Sequence, residues 1–305
     1  VRPGRIVAAL AARLLETRVV SVTPIRGKGT VNRVYTVRAA DGRTIIARAN
    51  DDPGKRRVYE KERWCLERAA EIGVSVPRPL AIDESGGWAV SFQSFVPGET
   101  GTDSPLPIET LWHTLGSVIR RVNAIPVAGF GEDADDLATG RPGETWQRFV
   151  EYNLGELGPD DPLRALGVLT AAQSERAASL FMELGKRPFV FGLCHGDVSL
   201  RNVLVAADGA LTLLDWECAE AHIVPHYELI RLRHAQLGLT EPAWEAFLAG
   251  YGLSADTLAA LQPELDALAL LKAVDLTRWA IDRNPARIAT CARDATRLAR
   301  RILRD

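Results

Sequence analysis

The apolar pattern of this chain changes period as it runs, and the changes divide it into elements. Ile6-Val7-Ala8-Ala9-Leu10 is interrupted by Arg13 and Glu16, which predicts an amphipathic helix rather than an export signal. Val19-Val20-Ser21-Val22 and Val31 to Val37 predict strands on either side of Ile25-Arg26-Gly27-Lys28-Gly29-Thr30. Asp41-Gly42 is a hairpin turn that sends Thr44-Ile45-Ile46-Ala47-Arg48 back as the next strand. Over residues 55–72 the period becomes helical. Counted from Val58, the residues Cys65, Leu66, Ala69 and Ile72 fall at i+7, i+8, i+11 and i+14, on one stripe. Gly73 ends that helix, Val76-Pro77-Arg78-Pro79 continues extended, and Trp88 to Phe92 predicts a strand. Residues 104–186 are helical in pattern, over Pro107 to Ala124, Thr145 to Leu157 and Leu169 to Leu184. Val203-Leu204-Val205 and Leu211-Thr212-Leu213-Leu214 flank the turn signal Ala206-Ala207-Asp208-Gly209 and predict a tight hairpin. A further helix begins within Val224-Pro225-His226-Tyr227-Glu228-Leu229. Helices then run from Pro242 to Leu303, most apolar around Leu265 to Leu276.

Polar residues that this pattern does not explain are the candidate chemistry. The outer ends of a hairpin meet, which sets Asn202 beside Asp215, with Asp197 on the loop just before. A carbonyl oxygen and a carboxylate at one rim are hard ligands suited to Mg²⁺, which takes a few protein oxygens together with phosphate and water. Asp197 stands where a carboxylate can accept a proton from an incoming hydroxyl. Phosphoryl transfer uses that constellation, because positioning and charge neutralisation supply most of its catalysis. Asn202 stands five positions after Asp197, and Asp215 thirteen positions after Asn202. Those are the intervals of a kinase catalytic loop and its metal-binding aspartate. The competing reading is an ordinary hairpin with polar ends.

Glu62 is a second anomaly, at i+4 in the middle of the apolar stripe, whereas Glu60, Arg63 and Glu67 lie on the solvated side. A carboxylate facing a core requires a cation, since an unpaired buried charge is costly. Arg48 on the neighbouring strand is the candidate partner; the alternative is that Glu62 reaches solvent at the edge of the stripe. The glycines of Gly27-Lys28-Gly29 make a loop whose backbone can approach phosphates closely, or simply a hairpin turn.

His195-Gly196-Asp197-x-x-x-x-Asn202 followed by Asp215-Trp216-Glu217 resembles the aminoglycoside phosphotransferase and choline kinase-like family. The resemblance implies an α+β, bilobal protein-kinase-like fold, with a small antiparallel-sheet N-lobe over residues 1–96 and a mostly helical C-lobe over 97–305. It implies Asp197 as catalytic base, Asn202 and Asp215 as Mg²⁺ ligands, and ATP or GTP as co-substrate under the Gly27–Gly29 loop. Arg48 stands where the family carries a phosphate-contacting cation set by Glu62, and it replaces the lysine of protein kinases. The Ser94 carbonyl and Val96 amide stand where adenine is bound at the hinge. Glu217 stands where it can assist a second ion or a substrate amino group. Gly129-Phe130-Gly131, Thr145-Trp146-x-x-Phe149, His226-Tyr227-Glu228 and Arg48-Ala49-Asn50 are shorter segments similar to hygromycin B phosphotransferases.

Composition narrows the partners. At 305 residues the chain can hold two lobes, and a net charge of −2 without an evident basic stripe argues against nucleic acid. Its four cysteines lack metal spacing and fit buried free thiols in a reducing cytoplasm. No apolar run is long enough to span a membrane. From Glu132 to Asp161 nine acidic residues face two arginines. That stretch is either a solvated loop or a negative wall for a cationic hydroxylated small molecule. No long segment ending in Ala-Pro-Glu follows Asp215, so a protein substrate is not expected. His222 and His226 are four apart but lack a third ligand, which favours helix-start histidines over a metal site. An aminoglycoside-type antibiotic is the leading substrate, with a metabolite kinase and a nucleotide-binding pseudokinase as the rival readings.

Overall fold

Strand alternation sets the first layer. The computed structural model describes residues 3–25, 31–133, 137–138, 142–235 and 239–304. Strands β1 (Val19–Pro24), β2 (Arg33–Ala39) and β3 (Thr44–Asn50) are successive antiparallel neighbours. The chain then leaves the sheet as helix α2 (Lys55–Glu71) and returns as β4 (Pro79–Ser85) and β5 (Trp88–Ser94). The spatial order is β1-β2-β3-β5-β4. Ile45, Ala47 and Ala49 of β3 face one side with Val37, Val90 and Phe92, and helix α1 (Pro3–Leu15) lays Ile6, Val7, Leu10, Ala11 and Leu15 over them. With a side-chain period of two, Arg48 and Asn50 must then point to the other face. The sequence pattern predicts only the extended lead-in to β4. That strand opens on Pro79 at the sheet edge and is half-buried over most of its length, so it displays no alternation.

Beyond residue 98 helices dominate. They are α3 (Ile108–Asn123), α4 (Pro142–Gly155), α5 (Pro162–Ala165), α6 (Ala171–Gly185), α7 (His226–Ala235), α8 (Glu241–Tyr251), α9 (Ala255–Arg283) and α10 (Ile288–Ile302). Strand β7 (Phe191–Cys194) lies between α6 and α7 in the chain, and the predicted hairpin is present as β8 (Val203–Val205) and β9 (Leu211–Leu213), with Val203 opposite Leu213. The short β6 (Glu99–Thr100) pairs with β8, and β10 (Glu220–Ile223) pairs with β7. All four residues of β10 are buried, so its sequence carries no strand period. His222 therefore sits on a strand, not at a helix start, and its ring stacks on Tyr227 at 4.0 Å. One core gathers Leu115, Ile119, Trp216 and Phe247, and a second gathers Trp146, Phe181, Leu270 and Leu298. Cys65, Cys194 and Cys291 are buried as expected; Cys218, in the 3₁₀ turn after Asp215, is exposed. No helix among the described residues is long and apolar enough to cross a membrane.

Helices α3 and α8 approach through a glycine on each. A Cβ on Gly116 would lie 2.2 Å from the Phe247 carbonyl oxygen, and one on Gly250 would lie 1.8 Å from that of His113. In an exposed helix interior Gly→Ala stabilises by about 1 kcal/mol. Here backbone occupies the space, so the sign should reverse. Gly116→Ala and Gly250→Ala are each expected to cost about 1–3 kcal/mol, read as a lower urea midpoint at unchanged slope.

Candidate active site

The segment between β7 and β8 is held by its backbone before any side chain acts. Gly196 has φ +75°, and a Cβ there would lie 2.1 Å from the Cys218 carbonyl oxygen, so no other residue fits that turn. His195 is fully buried. Its Nδ1 accepts from the Asp197 amide at 3.3 Å, which makes Nε2 the donor to the Leu214 carbonyl at 2.9 Å. Burial keeps its pKa below the ordinary histidine value, and both ring nitrogens are occupied. From α7, Glu228 accepts the backbone N–H groups of His195 and Gly196 through Oε1. Burial pushes the Glu228 carboxyl up to about 7, against those two donors. Arg231, one turn on, donates through Nε to the Gly196 carbonyl at 2.8 Å.

Asp197 and Asn202 are in direct contact. The Asn202 amide group donates to Asp197 Oδ2 at 2.8 Å and to the Asp197 carbonyl at 2.9 Å. With both protons committed, the side-chain carbonyl oxygen of Asn202 is its remaining ligand atom. The hairpin closes beside it, where the Leu214 amide donates to the Asn202 carbonyl at 2.8 Å. Asp215 follows with φ +58°, a left-handed conformation uncommon outside glycine and associated with functional sites. Its carboxylate is about half exposed.

Arg48 joins the sheet to this rim. One guanidinium nitrogen donates to Glu62, and the other donates to Asp215 Oδ1 at 3.0 Å and to Glu217 Oε1. Glu62 is 1% exposed and also accepts the Trp216 amide at 3.3 Å, so the alternative of a solvent-reaching Glu62 does not hold. Burial raises the pKa of Glu62 while Arg48 pulls it down. For Arg48 burial opposes the charge, but the carboxylates of Glu62, Glu217 and Asp215 outweigh it and raise its pKa. Glu217 accepts from Arg48 and Asn32 on Oε1 and from Lys55 Nζ at 2.5 Å on Oε2. It thus faces the cations of the sheet side. Lys55 and Asn32 were not singled out by the sequence, because neither breaks an apolar period.

Ser94 ends β5, where its hydroxyl accepts the Arg78 amide at 2.9 Å, and Val96 lies in the connection to β6. Neither touches the cluster around Arg48. Gly27 and Gly29 lie outside the described residues. Asn202 and Asp215 fit Mg²⁺ by donor chemistry, one amide oxygen and one accessible carboxylate, with phosphate left to complete the shell. Among the described residues no group of three or more His, Cys, Asp or Glu could hold a metal by itself.

A cavity of about 370 Å³ opens beside β10, lined by Phe130, Phe149, Trp279, Glu132, Asp275 and Lys272 among others. Glu220 also lines it; it accepts the Tyr227 hydroxyl and lies 3.7 Å from the Lys272 ammonium. The Arg231 guanidinium, bound to Gly196, stands 6.0 Å from the Tyr227 ring centre and links this wall to the residue before Asp197. Burial raises the pKa of Asp275. The acidic stretch is only partly a wall: Asp161 is buried against Arg278 at 2.7 Å and caps α5, whereas Asp135 and Asp136 lie outside the described residues. A larger groove, about 530 Å³, runs among the arginines of α10 and contains none of the predicted site residues.

Comparison with known proteins bears on the fold and the family of the chain. No curated protein matches the chain. Among solved structures it is similar to aminoglycoside phosphotransferase APH(4)-Ia, at 19% identity over 97% of this chain and 98% of that one, with a TM-score of 0.68. A thermostable mutant of that enzyme, crystallised with ADP and hygromycin B, superposes with a TM-score of 0.66 at 19% identity over 96% and 98% of the two chains. The macrolide 2'-phosphotransferase MphH of Brachybacterium faecium is 18% identical over 97% and 98%, with a TM-score of 0.62. A candidate fructosamine-3-kinase of Haemophilus somnus is 12% identical over 97% and 96%, also at 0.62. At these identities the superpositions show the protein-kinase-like fold alone. The model of the phosphotransferase enzyme family matches residues 21–281, which takes in the sheet, Arg48 and Glu62, the loop carrying Asp197, and the hairpin that ends in Asp215, and the chain belongs to that family.

Proposed function

We propose that the protein transfers the γ-phosphoryl group of ATP or GTP to a hydroxyl of an aminoglycoside-type antibiotic. The observation that carries the chemistry is the convergence of Asp197, Asn202 and Asp215 on one rim, with the buried Arg48–Glu62 pair reaching the same rim from the sheet. In this reading the lobes divide near residue 96, and the nucleotide lies between them with its base against Ser94 and Val96. Arg48 binds phosphate oxygens through its planar fork. Asn202 and Asp215 would hold Mg²⁺, which when bound would offset negative charge on the phosphates. Asp197 orients the acceptor hydroxyl and takes its proton as the new P–O bond forms and the bond to the departing diphosphate breaks. Glu228 and the Gly196 turn keep Asp197 at a fixed height, so its aim costs no ordering during the reaction.

The cavity beside β10 supports the substrate reading. Three carboxylates, Glu132, Glu220 and Asp275, share it with the faces of Phe130, Phe149 and Trp279, a lining suited to amino groups carried on sugar rings. Lys272 and Arg287 also line it and partly offset the acids. That balance favours, as a second reading, a less charged polyhydroxylated metabolite. A catalytically silent nucleotide binder is disfavoured because every position the chemistry needs is filled.

Purified protein with Mg·ATP and a panel of hydroxylated antibiotics and amino sugars should yield an aminoglycoside whose mass rises by one phosphoryl group. Phosphorylation only of sugars without amino groups would select the second reading. Asp197→Asn should leave Mg·ATP binding nearly intact and lower turnover by about 10²-fold or more, measured by titration and coupled assay. The third expectation concerns Glu228, whose carboxyl titrates near 7 in the folded chain and near 4.5 when unfolded. A raised pKa stabilises the protonated native state, so this contribution is full below pH 4.5 and is lost as pH rises toward 7. Glu228→Gln keeps an acceptor for the two amides and should flatten the stability profile across that window in denaturant titrations.

A further inference from the structure

Lys55 opens α2. Its side chain is 7% accessible, with its ammonium on Glu217 Oε2 at 2.5 Å and 5.5 Å from the Tyr59 ring centre. Arg48 donates to the other oxygen of the same carboxylate and stands 5.9 Å from the same ring. Two buried cations from two elements therefore share one carboxylate and one aromatic face. Lys55 and Glu62 are seven residues apart, two turns along one face of α2. Glu62, Arg48, Glu217 and Lys55 thus form a row that follows the helix across the cleft.

The start of α2 runs against ordinary helix preference. Cations are unfavourable at a helix N-terminus, where the macrodipole is positive. Yet α2 begins Lys55-Arg56-Arg57, with no acidic residue in its first turn and no side-chain cap. Arg56 and Arg57 are exposed, and Arg56 turns outward to Glu60 and Glu84. Lys55 alone of the three is buried, facing the rim that carries Asp215. A lysine ammonium has three donors, and among the described residues Glu217 is its hydrogen-bond acceptor. Among the described residues two donors remain, beside the Arg48 guanidinium.

We propose that Lys55 is a second phosphate-contacting cation of the nucleotide site, beside Arg48, with Glu217 holding both cations in position for the polyphosphate. The inference rests on the phosphoryl-transfer reading and adds to it a residue outside the motif positions. The two cations are not redundant. The guanidinium offers a planar fork to one phosphate, whereas the ammonium is a compact charge on a flexible stem that can follow a neighbouring one. Its position in the first turn sets it two turns from Glu62 along the same helix.

Calorimetric titration of the full chain with Mg·ADP and with adenosine tests this. Lys55→Gln can still hydrogen-bond Glu217 but has no charge. It should weaken Mg·ADP by ~10- to 100-fold while leaving adenosine unchanged, and Lys55→Arg should recover most of the loss. Unaltered Mg·ADP affinity in Lys55→Gln would overturn the assignment. Equal losses for Mg·ADP and adenosine would overturn it too, since they indicate a structural role alone. Should the single variant fail to fold, Lys55→Gln combined with Glu217→Gln, compared with Glu217→Gln alone, gives the same readout without an orphan carboxylate. If the unaltered chain binds neither ligand, the phosphoryl-transfer reading itself fails, a result separate from any effect of Lys55.

Discussion

A buried guanidinium must be answered by carboxylates, and this requirement organises the cleft. Arg48 leaves the sheet on the face opposite α1 and has no solvent to turn to. Glu62 from α2 answers it on one side, Asp215 and Glu217 on the other. Three segments far apart in the chain are thereby held at one point. Truncating Arg48 would strand the Glu62 carboxylate where water cannot reach it, a far larger loss than an exposed ion pair represents. In the proposed nucleotide site a polyphosphate would meet cations already oriented, so little ordering would remain at the time of binding.

The opposite wall is built differently. The loop carrying Asp197 is fixed by main-chain bonds: a glycine at a conformation and a clearance that exclude a side chain, a neutral histidine satisfied at both nitrogens, and a carboxylate from α7 beneath two amides. Arg231, also from α7, keeps its charge and donates its Nε–H to the Gly196 carbonyl. One wall is therefore held mainly by ion pairs, and the other mainly by hydrogen bonds to the main chain.

The same distinction separates what was legible in the sequence from what was not. Asp197, Asn202 and Asp215 announce themselves because a tight hairpin must bring its ends together, a local constraint of a dozen residues. Glu62 announces itself because a carboxylate interrupts an apolar helical stripe, and the need for a partner points to the neighbouring strand. Glu228, Arg231 and Lys55 break no period, since each sits among residues where charge is unremarkable, and no spacing rule relates them to the loop or rim they serve. Strand β10 was hidden for a related reason: with all four residues buried, it displays no alternation. The exposed Cys218 and the strand position of His222 likewise depend on neighbours that are distant in sequence.

By itself, then, the sequence determined most of the local elements, the hairpin whose outer ends carry Asn202 and Asp215, and the demand for a cation opposite Glu62. Each follows from periodicity or chain connectivity over a few turns. Only the tertiary structure decided that Glu217 faces the sheet and joins Arg48 to Lys55, that α7 braces the loop before Asp197, and that α3 and α8 close through paired glycines. Those outcomes depend on which buried groups are left without partners once the layers pack. That accounting of burial can be settled only when every element is in place.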